Sequence, residues 1–438
     1  IQVIFLISIL VGVILLMFVG VPVGFAFGLG GFILCKIYGI GITGALSASF
    51  NKLNMFAMMA LPLFILLGSL MNQSGLAKIL IDFVNSLVGR RKGGLGYVLI
   101  LTNTIFGAMC GVASSAMAAI GGMMIPAMEE KGYPRGYSTG IAIPSSVLSL
   151  LIPPSTSMIV FGIAGRISIP LLFASTFIPG IILTILLCAI NKVMTSKIPT
   201  IQVFPEVPKA QARKEGLQAT RKAFWILLLP LFILVGIYSG AFTPTEAAGI
   251  STVYALVLGF CIYRSMNMNI LWNTLIDGGK TTGSIVTVFF FFFVLSRILV
   301  LKGVPSALLD LLLSISENKI IILLIFNILL FLTGMFMDDC SALILAGIIY
   351  LPAAVKLGIN PIHFGAICGV NLGMGLITPP VAPLLYMGAM IGGNLKIGEY
   401  YKPVVYSILF GYFPVLFLTT YIPAISLALP NLLMKLMG

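Results

Sequence analysis

Two stretches of this chain repeat each other in one register. Gly107-Ala-Met-Cys-Gly-Val-Ala-Ser-Ser-Ala116 runs on to Pro126, then to Pro144-Ser-Ser146 and an apolar run closed by Pro153-Pro154-Ser155. Gly334-Met-Phe-Met-Asp-Asp-Cys-Ser-Ala342 runs on to Pro352, then to Asn371 and a run closed by Thr378-Pro379-Pro380. Pro126 and Pro352, like Pro153 and Pro379, are 226 positions apart. Paired hydrophobic segments broken by Gly and Pro at matching places point, in a membrane chain, to a substrate and ion site between the copies. The reading is a secondary transporter.

Composition establishes the membrane. Of 438 residues 59% are hydrophobic and 8% charged, against about 45–50% and about 25% in soluble domains, and so few charges cannot cover a water-exposed surface. Ile1 to Val19, Phe224 to Ile237, Ile285 to Leu295 and Ile320 to Leu332 carry almost no charge, and several of these runs lengthen past the roughly 20 residues that cross a bilayer. Ten to twelve spans are expected, with shorter broken ones, and Ile1 onward reads as a first membrane helix that is retained. The net charge of +13 sits in short loops between apolar runs, which marks the cytoplasmic side rather than a nucleic-acid surface. Its densest part is the polar stretch Lys192 to Lys222, with Arg90-Arg-Lys92 a second basic loop. Cys35, Cys110, Cys188, Cys261, Cys340 and Cys368 stand singly in apolar segments without a CxxC, and read as small buried hydrophobes rather than disulfides or metal ligands.

The duplication extends upstream. Ser74-Gly-Leu-Ala-Lys-Ile-Leu-Ile-Asp82 answers Lys302-Gly-Val-Pro-Ser-Ala-Leu-Leu-Asp310, and Val21-Pro-Val-Gly24 answers Thr243-Pro-Thr-Glu246. The expected fold is an all-α polytopic membrane protein of two structural repeats, residues 1–204 and 223–438, joined by a cytoplasmic linker at 205–222. An odd number of crossings per half inverts the second repeat, the arrangement that gives alternating access. Within each repeat the Pro-Pro pair cannot sit in a helix interior, so re-entrant hairpins with proline tips are expected at 137–164 and 361–392. Such backbone is tolerated at membrane depth only where it lines a cavity or is buried in protein. The opposing broken helices carry Gly107, Gly111, Ser114 and Ser115, and Gly334, Asp338, Asp339 and Ser341. Unwound carbonyls there can hold Na+, and half-helix N-termini can face an anion. Two sodium ions are expected, with Ser114, Ser115, Ser145, Ser146, Asp338, Asp339 and Asn371 as substrate-binding candidates.

Thr243-Pro-Thr-Glu-Ala-Ala248, Ile152-Pro-Pro-Ser155, Gly334-Met-Phe-Met-Asp338 and Leu376-Ile-Thr-Pro-Pro-Val381, in this order over nearly the whole chain, resemble the large membrane subunit of tripartite ATP-independent periplasmic (TRAP) transporters. The resemblance implies a sodium-driven elevator transporter in the bacterial inner membrane. It also implies a small four-helix membrane subunit, a periplasmic substrate-binding protein, and import of an organic acid such as sialic acid or a C4-dicarboxylate. It places one sodium site near Gly334, Gly375, Thr378 and Val381 and, by the internal repeat, the other near Ser114, Ser149, Ile152 and Ser155. The chain departs from the family pattern in the third proline of Val381-Ala-Pro383 and in the doubled Asp338-Asp339.

Other readings compete at single residues. Asp338 and Asp339 read as a helix cap or, about 15 residues into the run from Ile320 where an unpaired carboxylate is expensive, as site residues. Ser114 and Ser115 could instead allow close helix packing. Glu246 reads as an acidic first-turn residue rather than an ion partner, and His363, the single histidine, as packed or solvated rather than a proton relay. Phe289 to Phe293 reads as a lipid-facing or packing surface. An intramembrane transferase using Asp338-Asp339 with Mg2+ would need a second acidic cluster, which twelve acidic residues without nucleotide or zinc motifs do not supply. No organic cofactor is expected. A stand-alone sodium-coupled carboxylate carrier is the nearer alternative.

Overall fold

The computed structural model describes residues 19–202 and 208–437, with Gly12, Val13, Leu15 and Leu16 before them. The expected first helix from Ile1 lies for the most part outside the described residues. Those described form helices and connecting turns with no strand. Among the described residues eight helices are long and apolar enough to cross a bilayer, nine if one bent pair counts as a span; the ten to twelve expected from hydropathy refer to the whole chain.

One group of helices forms a frame. Val23–Ile37 lies along Met268–Leu301, with Gly24 against Val288, Gly28 against Phe291 and Gly31 against Val294 and Leu295. A side chain at Gly28 would start 2.7 Å from the Phe291 ring, so the glycines are what let a phenylalanine-rich helix approach the neighbouring backbone. Phe289, Phe292 and Phe293 are buried in the frame, which makes this run a packing surface. Pro244–Ile262 packs on Phe56–Gln73, with the Thr245 and Thr252 hydroxyls donating to the carbonyls of Phe56 and Leu63 at 3.2 Å. Its start is a reciprocal cap. The Glu246 carboxylate accepts from the Thr243 N–H at 2.8 Å and the Glu246 N–H donates to the Thr243 hydroxyl at 3.3 Å, satisfying two orphan donors at the helix N-terminus.

Among its described residues the polar stretch between the halves is largely helical. Ile169–Ser196 ends within it, and the next helix, Lys209–Tyr238, begins within it. Lys209 to Lys222 is rich in Ala, Gln, Lys, Arg and Glu, good helix formers, so the span extends outward as a helix. Its Glu215 pairs with Arg90 of the other basic loop. Both loops therefore lie at one end of the molecule, called here the linker end.

The second group holds the duplicated segments, and the expected roles of its parts are exchanged. Gly94–Cys110 leads into Gly111, at φ +65°, and Val112, after which the chain returns through Ala113–Ala116, a short π-helical turn and Gly122–Glu129. The Leu95 N–H lies 3.3 Å from the hydroxyl of Tyr133, just past the second arm, so this is the hairpin, entering and leaving at the linker end. Lys319–Phe336 and Asp339–Lys356 form its counterpart. Phe326 meets Tyr350 across the arms at 6.3 Å between ring centres, and the Lys319 ammonium lies against Gly358. The segments 137–164 and 361–392, expected as hairpins, are broken helices that continue across. Arg135–Leu151 and Thr156–Gly165 bend by 45° at Pro153-Pro154, and Pro361–Gly375 and Pro383–Ile391 flank Pro379-Pro380. Proline removes a donor and stops a helix, and it pushes the residue before it out of the helical region to extended backbone. Reversal at the first tip instead uses the left-handed conformation that glycine adopts freely.

The broken helices run antiparallel. Gly365 meets Phe161, Gly369 meets Met158 and Leu151, Gly373 meets Val147, Gly388 meets Ile143 and Gly392 meets Thr139. The Arg135 guanidinium donates to the Gly392 carbonyl at the linker end.

Candidate functional site

Each hairpin tip is seated on the break of its own repeat. Gly111 accepts from both the backbone N–H and the hydroxyl of Thr156, at 3.2 and 2.8 Å, and a Cβ at Gly111 would collide with the Pro154 carbonyl. Gly107 lies against Ser149, whose Cα would be 2.6 Å from a Cβ there. In the second repeat Ala382 donates to the Met335 carbonyl at 3.4 Å, and Gly334 and Gly375 touch backbone to backbone. Glycine is required at these contacts because any side chain would part the tip from the break.

The tips share one cavity of ≈ 580 Å³. Val112, Ala113 and Ser114 of the first tip and Asp338, Asp339 and Cys340 of the second line it. So do Leu376, Pro383, Leu384 and Met387 beside the second break, and the frame closes it with Pro22 to Phe25 and residues between Gly283 and Phe289. Its polar groups are the Ser114, Ser284 and Thr287 hydroxyls and the two carboxylates. No Lys or Arg is among the described lining residues.

The two aspartates do different work. Asp338 is the N-cap of the returning arm, accepting from the Ser341 N–H at 3.1 Å and from the Ser341 hydroxyl, so the cap and site readings describe one residue in a cavity wall. Asp339 accepts from the Ser157 hydroxyl of the other repeat's broken helix, tying the second tip to the first repeat. Asp338, Asp339 and Cys340 present ligand atoms within 4.8 Å of one another.

Other sequence candidates lie elsewhere. Ser115 turns toward Gly68 of the frame, which is packing. Ser145 and Ser146 are buried and donate to the Ile141 and Ile143 carbonyls of their own helix, a common resting place for a serine facing protein instead of water. Asn371 donates to the Asn327 backbone and side-chain oxygens at 2.9 Å, and Asn327 donates to Thr420 at 3.1 Å. That network joins three helices away from the cavity. His363 is buried between the Ser426 hydroxyl and the Thr420 carbonyl, at 2.7 and 3.2 Å, as a packed residue. Thr378 donates to the Met374 carbonyl at 2.9 Å, and Ser155 caps Thr156–Gly165 through the Met158 N–H at 3.3 Å. Ser149, Ile152, Ser155, Gly334, Gly375, Thr378 and Val381 sit behind the tips and do not line the cavity.

One residue escaped sequence reasoning. Asn103, fully buried on the first hairpin, receives the Ser149 hydroxyl on its backbone carbonyl at 3.4 Å. Neither polar atom of its side chain has a hydrogen-bond partner among the described residues. A buried amide oxygen without a donor is costly and is a ready ligand for a hard cation. Asn103 and the Ser149 hydroxyl that meets its carbonyl are therefore oxygen ligands of the type Na+ takes, while Ser155 lies further along, beside Gly111. Behind the second tip the Gly334 and Gly375 backbone and the Thr378 hydroxyl offer oxygen ligands of the same type. An asparagine amid apolar residues reads as helix packing, so nothing in the sequence marked it.

Comparison with known proteins agrees with this architecture. Residues 10–425 match the family model described as "Tripartite ATP-independent periplasmic transporter, DctM component". The chain is 34% identical over 376 residues to the C4-dicarboxylate TRAP transporter large permease protein DctM of Pseudomonas aeruginosa, covering 86% of each chain. It is 32% identical to the sialic acid TRAP transporter large permease protein SiaM of Vibrio cholerae, covering 95% of this chain and 96% of that one. An uncharacterized protein, YgiK, of Salmonella typhimurium is 36% identical over 419 residues, 94% of each. Among solved structures, the Alcanivorax borkumensis YdaH transporter shares the fold at a TM-score of 0.58 and 14% identity, over 88% of this chain and 87% of that one. The chain, a multi-pass protein of the bacterial inner membrane and not an enzyme, belongs to the DctM family of large permeases of the tripartite ATP-independent periplasmic transporters.

Proposed function

We propose that the chain is the sodium-coupled transport subunit for an organic acid of the sialic acid or C4-dicarboxylate class. The observation that carries this reading is the meeting of both hairpin tips in one cavity, each tip backed by a glycine-tight contact with a broken helix. Na+ held behind the first tip by oxygens of Asn103 and Ser149, and behind the second by the Gly334 and Gly375 backbone and Thr378, supplies positive charge next to a cavity whose described lining has none. That charge favours an anionic substrate, and substrate favours the ions, which is coupling by linkage. The antiparallel broken helices suit an elevator in which hairpins and broken helices move together against the frame.

A small four-helix membrane subunit and a periplasmic binding protein complete the system in this reading, the binding protein delivering substrate to a chain of short loops. The test is uptake of a labelled C4-dicarboxylate and of sialic acid into proteoliposomes, with each component omitted in turn. Uptake should require an inward sodium gradient and all three components, without ATP. Undiminished uptake when potassium or choline replaces sodium would end the reading, and saturable uptake by the chain alone would make it a stand-alone carrier.

A further inference from the structure

The Met268–Leu301 helix carries a polar face that the cavity does not account for. Asn273, Asp277, Lys280, Ser284 and Thr287 recur at alternating spacings of four and three, the repeat of a single helix face, and all five are exposed. Ser284 and Thr287 line the cavity, and so does Gly283 between them. Cβ atoms at Gly279 and Gly283 would meet nothing within 4 Å, so this side of the helix looks onto open space. Asp277 accepts from Gln73 of the neighbouring frame helix at 2.8 Å. Lys280 has no ion pair or hydrogen bond among the described residues.

Lys280 lies about 18 Å along the helix from Met268. The helix starts at the linker end, where Tyr263, five residues earlier, donates to the Lys222 carbonyl. An unpaired ammonium on such a helix is expensive in hydrocarbon and belongs against water. It stands one turn from Ser284, on the same face.

We propose that this face lines the passage between the cavity and the linker end, and that Lys280 is the cationic contact for a carboxylate passing along it. The proposal rests on the cavity being the substrate site. The basic loops at that end make it the cytoplasmic one by the positive-inside rule, so Lys280 draws the anion out of a cavity whose own charges are carboxylates.

The test separates this passage from the transport reading by using thiol reagents in place of substrate. In a Cys340→Ala background, Ser284→Cys is labelled with the anionic 2-sulfonatoethyl and the cationic 2-(trimethylammonio)ethyl methanethiosulfonates, with and without Lys280→Met. One unit charge about 6 Å away changes each rate by at least about threefold even at the dielectric of water. The changes are opposite in sign, so Lys280→Met should lower the anionic-to-cationic ratio about tenfold, and Lys280→Arg should hold it. Uptake of whichever acid the reconstituted system carries should fall several-fold in Lys280→Met, with an unchanged sodium midpoint and unchanged co-purification of the small subunit. A ratio indifferent to Lys280, or a Ser284→Cys that neither reagent reaches, would overturn the proposal. So would loss of the small subunit in Lys280→Met, which would make the polar face a subunit interface. The labelling ratio and the co-purification do not depend on sodium coupling, so failure of that reading shows separately as sodium-independent uptake.

Discussion

Asp338 shows how one side chain can be structural and functional at once. As an N-cap it satisfies the Ser341 N–H, and as a carboxylate in the cavity wall it carries charge. Substitution separates the roles, because Asn caps a helix about as well as Asp whereas Ala loses about 1 kcal/mol. Asp338→Asn should keep the wild-type melting temperature while uptake falls tenfold or more. Asp338→Ala should lose the same activity and also melt earlier. Thermal unfolding beside sodium-titrated uptake checks this, and wild-type uptake in Asp338→Asn would leave the residue as a cap only. Gly111 is the complementary case, since its positive φ and its contact with the Pro154 carbonyl both exclude a side chain. Gly111→Ala adds about 1–2 kcal/mol of left-handed strain to that collision. It should weaken the sodium midpoint of uptake, whereas Gly44→Ala, with open space around it, should not.

At the scale of elements, the capping box at Thr243 offers a prediction free of the site. Thr243→Ala should cost about 1 kcal/mol of stability and leave sodium dependence untouched, as melting and uptake of one preparation would show. The same segment shows what the sequence made legible. Glu246 reads as an acidic first-turn residue, and it stands in the first turn, where it also closes a capping box with Thr243. The breaks at Gly111 and Met337 and at the two Pro-Pro pairs also fall where the duplicated Gly and Pro predicted interruptions. What could not be read was the direction in which the chain leaves each break. Pro-Pro looks the stronger stop, yet it bends the first broken helix by only 45°, while Gly111 reverses the chain. A stop is a local property of the residue, but reversal depends on whether the following helix finds its partner on the preceding arm, as Tyr133 does at Leu95. The cation-site positions Ser149, Ile152, Ser155, Gly334, Gly375, Thr378 and Val381 came from the family resemblance and the internal repeat, while Asn103, orphaned only in three dimensions, carried no mark in the sequence. Ser145, Ser146 and Asn371 were singled out for polarity near a break, and their partners turned out to be carbonyls of neighbouring turns and helices.

For the molecule as a whole, the decisive question is whether hairpins and broken helices slide against the frame. The first tip meets the frame at Gly68 of Phe56–Gln73, where a Cβ would lie 3.0 Å from the Cβ of native Cys110 and 3.4 Å from that of Ser115. Disulfides join Cβ atoms about 3.5–4.5 Å apart, so Gly68→Cys needs only a shift of a few tenths of an ångström to pair with Cys110. Cys110 lies next to the tip residue Gly111, and its bond to a frame helix would staple the moving part in one position. If transport requires elevator motion, oxidation of Gly68→Cys should give a cross-link found by peptide mass, lower uptake at least tenfold, and be reversed by dithiothreitol. The double variant Gly68→Cys with Cys110→Ala should show neither cross-link nor response to oxidant, which separates the staple from simple crowding at Gly68. A complete cross-link with undiminished uptake would mean that the first tip keeps its place on the frame through the cycle. Access would then have to alternate by opening of the hairpins themselves, with the broken helices fixed.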